Sequence, residues 1–241
     1  MSRAEQIAAN LNIVRARLAR ALQASQRAAN SVTLLAVSKT TPPADVTAAL
    51  AAGQQDFGES YGQELRTKHA AVDEILRANG ASARPRWHFI GPLQNNKVKY
   101  VVGQVALVHS VASLDLARTI DSKAAAQGSL QECLVQVNVT GEAQKSGVAP
   151  ADLPALLDGM ASLVHLRCRG LMLIPPYQED AEASRPAFAA LRRLQERERA
   201  KVRPNVDLIE LSMGMSHDLE VAVSEGATIV RVGTAIFGER T

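Results

Sequence analysis

What most constrains this chain of 241 residues is an alternation, repeated eight times, of short apolar runs with longer amphipathic ones. The apolar runs are Thr33–Val37, Gln55–Gly58, Trp87–Ile90, Val105–His109, Glu132–Val139, Leu166–Ile174, Val206–Leu211 and Thr228–Val232. The segments between them predict helices over Pro43–Ala52, Gln63–Asn79, Leu114–Gln127, Ala181–Val202 and His217–Glu225. Others fall near Asn96–Val102 and Ala151–Ser162, and a last one starts near Thr234. Nearly continuous apolar strands signal a parallel sheet covered on its faces. Eight such units in this length are the arithmetic of an α/β fold of the (β/α)8, TIM-barrel type. A doubly wound open sheet is the alternative, but no GxGxxG follows the first strand. No linker tract interrupts the pattern, which predicts one domain over residues 1–241. Within residues 1–30, Ile7, Leu11, Val14, Leu18 and Leu22 recur at helical spacing. They predict an extra N-terminal helix packed on the barrel, a better account of this Arg-rich start than a transit peptide.

Composition narrows the function classes. Aromatics make up 3% of the chain, so the core is aliphatic and no base-stacking platform is available. Net charge is +3 with the basic residues scattered, which argues against nucleic acid as a partner. Cys133 and Cys168 match no metal-binding spacing and sit in strand-like runs, predicting buried free thiols and a reducing, cytoplasmic setting. No apolar run approaches the roughly 20 residues of a membrane helix, and there is no signal-peptide core. His69 and His165 lack partners at ligand spacing, so no metal is expected. His88, among apolar neighbours, suits a hydrogen-bonded interior histidine, and the Arg192–Lys201 charge run suits a solvated helix face.

In a barrel of this kind the C-terminal strand ends face the active site. Those ends collect Lys39, Glu59, Ser60, Gln94, Asn95, His109, Asn138, Ser212 and Arg231. Lys39 ends the first strand, where burial near other cations lowers an ammonium pKa and enables imine formation. Ser212-Met213-Gly214-Met215-Ser216 follows strand seven and Gly233-Thr234 follows strand eight, where barrels bind phosphate. Ser216 and Thr234 also suit plain helix capping. An imine-forming lysine facing a phosphate site fits a Schiff-base aldolase with a sugar phosphate, or pyridoxal 5′-phosphate; spacing does not choose between them.

The residues around these positions carry a resemblance. Leu35-Ala36-Val37-Ser38-Lys39-Thr40, Phe57-Gly58-Glu59, His88-Phe89-Ile90-Gly91-Pro92-Leu93-Gln94, Val108-His109-Ser110, Gln136-Val137-Asn138, Lys145-Ser146-Gly147 and Arg169-Gly170-Leu171-Met172 all take part. So do Ser212-Met213-Gly214-Met215-Ser216 and Arg231-Val232-Gly233-Thr234-Ala235-Ile236-Phe237-Gly238. Together, from about Leu34 to Gly238, they resemble the pyridoxal phosphate homeostasis protein family. The resemblance implies a fold-type III barrel like the N-terminal domain of alanine racemase. It implies pyridoxal 5′-phosphate held as an aldimine, a Schiff base, on Lys39. Ser212, Gly214, Ser216, Gly233 and Thr234 would serve the phosphate, Arg231 would face the pyridine nitrogen, and Asn138 and Met172 would complete the cofactor site.

A guanidinium donates hydrogen bonds only and leaves that nitrogen unprotonated, which makes the ring a weaker electron sink. Alanine racemase also relies on a β-domain that supplies a tyrosine base; here the chain reaches Thr241 directly after the barrel, and of Tyr61, Tyr100 and Tyr177 only Tyr61 is expected near the rim. The implied role is therefore storage, buffering or transfer of the cofactor, without established turnover and with no catalytic residues assigned. Apo forms of pyridoxal phosphate enzymes would be partners, and a monomer is expected. A slow amino-acid racemase is the first alternative and a Schiff-base aldolase the second. Two positions depart from the family pattern: Ser60 stands where Asn is usual, and His217 where Asp is usual.

Overall fold

Residues 1–141 and 146–239 are described in the computed structural model of the chain. Eight parallel strands close on themselves in chain order, with β1 hydrogen-bonded to β8. They are β1 (Thr33–Val37), β2 (Asp56–Glu59), β3 (Arg86–Phe89), β4 (Leu107–Val111), β5 (Gln131–Gln136), β6 (Leu166–Met172), β7 (Val206–Ser212) and β8 (Ile229–Val232). The helices are α1 (Arg3–Ala24), α2 (Pro43–Ala51), α3 (Gly62–Ala78), α4 (Leu114–Ala125), α5 (Leu153–Met160), α6 (Arg185–Arg199), α7 (Leu219–Ser224) and α8 (Thr234–Phe237). This is the expected barrel, with two corrections to its helices.

The connection between β3 and β4 is a short 3-10 helix, Asn95–Tyr100, rather than an α-helix. Asn95 and Asn96 are weak helix formers, and Val98 alone is buried within the segment, too little apolar surface to hold a longer helix. The long helix expected over Ala181–Val202 is broken after Ser184, where a 3-10 turn (Ala181–Ser184) gives way to α6. Pro186 has no N–H to return to the preceding turn, so it opens α6 instead of lying within a longer helix.

Two apolar layers follow from the alternation of side chains along each strand. Leu35, Leu107, Leu134, Met172 and Ile229, joined by Ile90, plug the barrel interior, while a larger layer lies between barrel and helices. Cys133 and Cys168 are neighbours on β5 and β6, both buried free thiols, and burial pushes the Cys133 thiol pKa well up. Among the described residues, no helix is long and apolar enough to cross a membrane.

The N-terminal helix is integral to the fold. Ser2 and Glu5 form a reciprocal cap, the Ser2 hydroxyl accepting from Glu5 N–H at 3.2 Å and the Glu5 carboxylate from Ser2 N–H at 2.7 Å. Beyond this cap, Ile7, Leu11, Val14, Leu18, Ala21 and Leu22 are buried. Arg3 reaches Asp45 of α2 and the carbonyl of Phe237, and Asn10 donates to the carbonyl of Ile236, so the helix spans the junction of the first and last units.

The charge run over Arg192–Lys201 is the solvated face expected of it except at Glu198. Glu198 is fully buried and gathers Arg197 at 2.9 Å, Lys201 at 3.1 Å and Arg203 at 2.9 Å. Burial opposes its ionisation, but the three cations outweigh burial and hold its pKa below the usual range.

Leu11 is completely buried. Leu11→Ala should lower the unfolding free energy by about 2–5 kcal/mol, measured as a drop in the urea midpoint; an unchanged midpoint would mean that α1 is not part of the cooperative unit.

Candidate functional site

Lys39 follows β1 at the C-terminal mouth of the barrel and is half-buried. The reason for its fixed position lies behind it, on α3. The buried stripe of that helix runs Leu65, Lys68, Val72, Leu76, with a cation standing in an apolar series. Lys68 Nζ donates to the Ser38 carbonyl at 2.5 Å and to Glu59 Oε1 and Glu64 Oε1, both at 2.8 Å. Ser38 Oγ donates to the same Glu59 oxygen at 2.6 Å, and Glu64 Oε1 accepts the Thr40 N–H at 2.5 Å. The peptide groups on both sides of Lys39 are thus tied to one buried charge cluster. Thr40 sits at φ +62, which a β-branched residue adopts only when its surroundings impose it. Burial pushes the Glu59 carboxyl up, against the pull of Lys68 and Ser38.

The facing wall is built by the chain after β7 and β8. Gly214 has φ +91, and a Cβ there would lie 2.4 Å from the Ala222 methyl, so only glycine lets this loop lie against α7. Its carbonyl accepts from Arg231 N–H at 3.0 Å, and Asp218 Oδ1 accepts from Met215 N–H at 2.7 Å, closing the loop on itself. Gly233 packs against the end of β1, where a Cβ would meet the Val37 carbonyl at 3.2 Å. That contact brings the Gly233-Thr234 turn beside the strand that leads to Lys39. Ser216 is half-buried and Thr234 exposed.

Between these walls lies Arg231, buried to 4% exposure. It donates to the Leu173 carbonyl and to Ser212 Oγ, both at 2.8 Å, at the C-terminal ends of β6 and β7. No carboxylate among the described residues lies within ion-pair distance of it; burial pushes its pKa down to about 10, with Asp218 acting in the opposite direction. Ser212 Oγ is in turn 2.9 Å from His109 Nδ1, and His109 Nε2 is 3.0 Å from His88 Nδ1. His88 Nε2 lies 3.0 Å from Asp56 Oδ1, which also accepts from Arg86 at 2.7 Å. Burial holds the His109 pKa well below 6.5, with His88 and Arg231 adding to the effect. His88 is therefore the hydrogen-bonded interior histidine expected of it.

The remaining residues of the expected rim separate. Glu59 faces α3 with Ser38 and Lys68, and His109 lies inside the barrel. Gln94 and Asn95 are exposed, Asn95 bonding to Asp115. Met172 is buried in the interior plug. The Asn138 side-chain oxygen accepts from Gly141 N–H at 3.1 Å and turns the loop after β5; Lys145 of the neighbouring motif lies outside the described residues. Ser60 is buried, its carbonyl against Gly91, and His217 is exposed with its ring 5.7 Å from that of Tyr177. Tyr177, which was not expected near the rim, therefore stands beside the loop after β7. Lys68, Asp56 and Asp218 were not singled out as site residues from sequence, although a lysine on the apolar stripe of α3 was a readable sign. Among the described residues no group of His, Cys, Asp or Glu is arranged to hold a metal ion.

Residues 6–241 match the family described as alanine racemase, N-terminal domain. Over 235 residues the chain is 47% identical to the pyridoxal phosphate homeostasis protein of Pseudomonas aeruginosa, covering 97% of this chain and 96% of that one. The chain belongs to the pyridoxal phosphate homeostasis protein family. Another member, from Aquifex aeolicus, is 43% identical, with 95% and 96% coverage. The structure of PipY from Synechococcus elongatus with pyridoxal phosphate bound superposes with a TM-score of 0.80 at 35% identity, covering 96% of this chain and 100% of that one.

Two outcomes follow for this family member. Lys68→Met leaves the Glu59 carboxyl buried without its cation and should cost about 3–5 kcal/mol in urea unfolding; a cost under about 1 kcal/mol would deny the clamp. For His109 the folded-state pKa is depressed, so the unfolded chain binds the extra proton first. Its contribution is intact above about pH 6.5 and is lost as pH falls below that value, at up to about 1.4 kcal/mol per unit. Urea midpoints measured between pH 7 and 5 should fall, and His109→Gln should flatten that slope.

Proposed function

We propose that this chain binds pyridoxal 5′-phosphate reversibly and serves its homeostasis by storing, buffering or transferring it. The observation that carries this reading is the buried guanidinium of Arg231, which has neutral partners only. A buried cation without a counter-charge is costly, and an electron-rich acceptor at the mouth offsets that cost. The pyridine nitrogen of the cofactor is such an acceptor, and the residues around Arg231 fit the rest of it.

Lys39 would supply the amine for a Schiff base. The loop at Gly214 and Ser216, with the turn at Gly233 and Thr234, would hold the phosphate through backbone N–H groups and hydroxyls. Met172 would floor the ring, Asn138 would shape the adjoining wall, and Ser212 would hold Arg231 in place. When bound, the cofactor supplies an aldehyde that condenses with an amine. Arg231 donates hydrogen bonds and has no proton to give at neutral pH, so a nitrogen facing it stays unprotonated. That weakens the electron sink on which racemisation and decarboxylation depend, and it favours a carrier over a turnover enzyme. We further propose a cytoplasmic monomer that hands the cofactor to apo enzymes. PipY with its bound pyridoxal phosphate supports the ligand assignment.

The test is the visible absorption spectrum after adding pyridoxal 5′-phosphate, followed by borohydride reduction and peptide mapping. The parent should turn yellow and carry the reduced adduct on Lys39. Lys39→Ala should lose the reducible adduct while keeping weaker binding, by about tenfold or more. A reducible adduct that survives Lys39→Ala would assign the linkage to another lysine, and steady racemisation of an amino acid by the parent would replace the carrier reading.

A further inference from the structure

A single file of hydrogen bonds crosses the barrel interior from one mouth to the other. It runs from Arg231 through Ser212, His109 and His88 to Asp56, with no separation longer than 3.0 Å. Ser212, His109 and His88 are all within 1% of complete burial. The rest of the interior plug is aliphatic, so packing alone gives no reason for two imidazoles and a hydroxyl there. Asp56, by contrast, is the first residue of β2, at the N-terminal mouth, where it also holds the exposed Arg86. That mouth contains a cavity of about 250 Å³ bordered by Arg86, His88, Glu132, Arg169 and Glu210, so the far end of the file lies at the protein surface.

Resting on the cofactor reading above, we propose that Asp56, His88 and His109 are positioning residues. Acting through Ser212, they set from the N-terminal mouth how Arg231 presents its N–H donors to a ring nitrogen at the C-terminal mouth.

With both imidazoles neutral, the direction of every bond follows from donor and acceptor chemistry. An ionised Asp56 can only accept, so His88 Nε2 carries the hydrogen. Neutral His88 then offers a lone pair at Nδ1, and His109 Nε2–H must donate to it. Neutral His109 is left with a lone pair at Nδ1, which the Ser212 hydroxyl fills as donor. The Ser212 oxygen keeps a lone pair for Arg231 Nη1–H. One carboxylate thus fixes the polarity of four bonds, and Ser212 becomes a pure acceptor toward Arg231. Asp56 is held below its ordinary range by His88 and Arg86 against the effect of burial, so it stays an acceptor, and burial keeps His109 neutral. Without the anchor, His88 and His109 can take the opposite tautomers. Ser212 must then accept from both His109 Nδ1–H and Arg231, its own hydroxyl hydrogen loses its acceptor at His109, and the guanidinium loses its fixed orientation.

The test uses the full chain loaded with pyridoxal 5′-phosphate and compares Asp56→Leu, Asp56→Asn and His109→Leu. Three quantities are read: the position and pH midpoint of the visible band, the Kd by titration, and the urea midpoint. Asp56→Leu should move the pH midpoint of the band by about half a unit or more and weaken binding about tenfold. Asp56→Asn, whose amide oxygen can accept the same bond from His88, should restore most of both. If His109→Leu does not fold, the Asp56 pair decides, since that residue lies at the mouth and not in the plug. A parental band and Kd in Asp56→Leu, even with a lowered urea midpoint, overturns the proposal and leaves the cofactor reading standing. A parent that forms no visible band overturns the cofactor reading and the positioning role with it.

Discussion

Closure of the sheet is the constraint from which the rest follows. With β1 bonded to β8 there is no free edge, and the inward side chains of all eight strands share one sealed volume. Whatever enters that volume must be apolar or must find its hydrogen bonds inside. The aliphatic plug satisfies the first condition and the Asp56–Arg231 file the second. The same closure brings the Gly233 turn against the end of β1, so the two halves of the proposed cofactor site, remote in sequence, meet only because the barrel closes.

The clamp around Lys39 answers a different problem. A strand end above a barrel mouth is a mobile place for a nucleophile, and a misplaced amine reacts slowly. Lys68 and Glu64 hold the neighbouring peptide groups from outside the barrel, and the positive φ of Thr40 is kept by those bonds. The backbone that carries the amine is therefore held by α3, an element that contributes no proposed ligand contact.

Periodicity made the fold legible. Runs such as Thr33–Val37 are apolar on both faces, which only a covered parallel sheet requires, and the boundaries of β1 coincide with the run. The misjudged elements were those decided by single residues: Pro186 splitting a helical pattern, and two asparagines weakening another. Strand-end position made Lys39, Ser212 and Arg231 stand out as site candidates. Asp56, in contrast, precedes the apolar part of β2 and looks like a strand-initiating polar residue; its proposed role depends on His88, which is remote in sequence and on the neighbouring strand. Lys68 stands on the apolar stripe of α3 and is legible there, whereas Glu198 lies in a charge run that is normally solvated, and only the packing of α6 reveals that it is buried.

The position of α1 has a consequence for biosynthesis. Its apolar stripe is made first, yet the surfaces it covers include α7 and α8, which are made last. At ordinary elongation rates the stripe waits on the order of tens of seconds for its partners to leave the ribosome. The β1–β8 seam closes at the same late moment. Until then the nascent chain carries an exposed leucine-rich helix and an open sheet edge together, the two surfaces that folding chaperones bind.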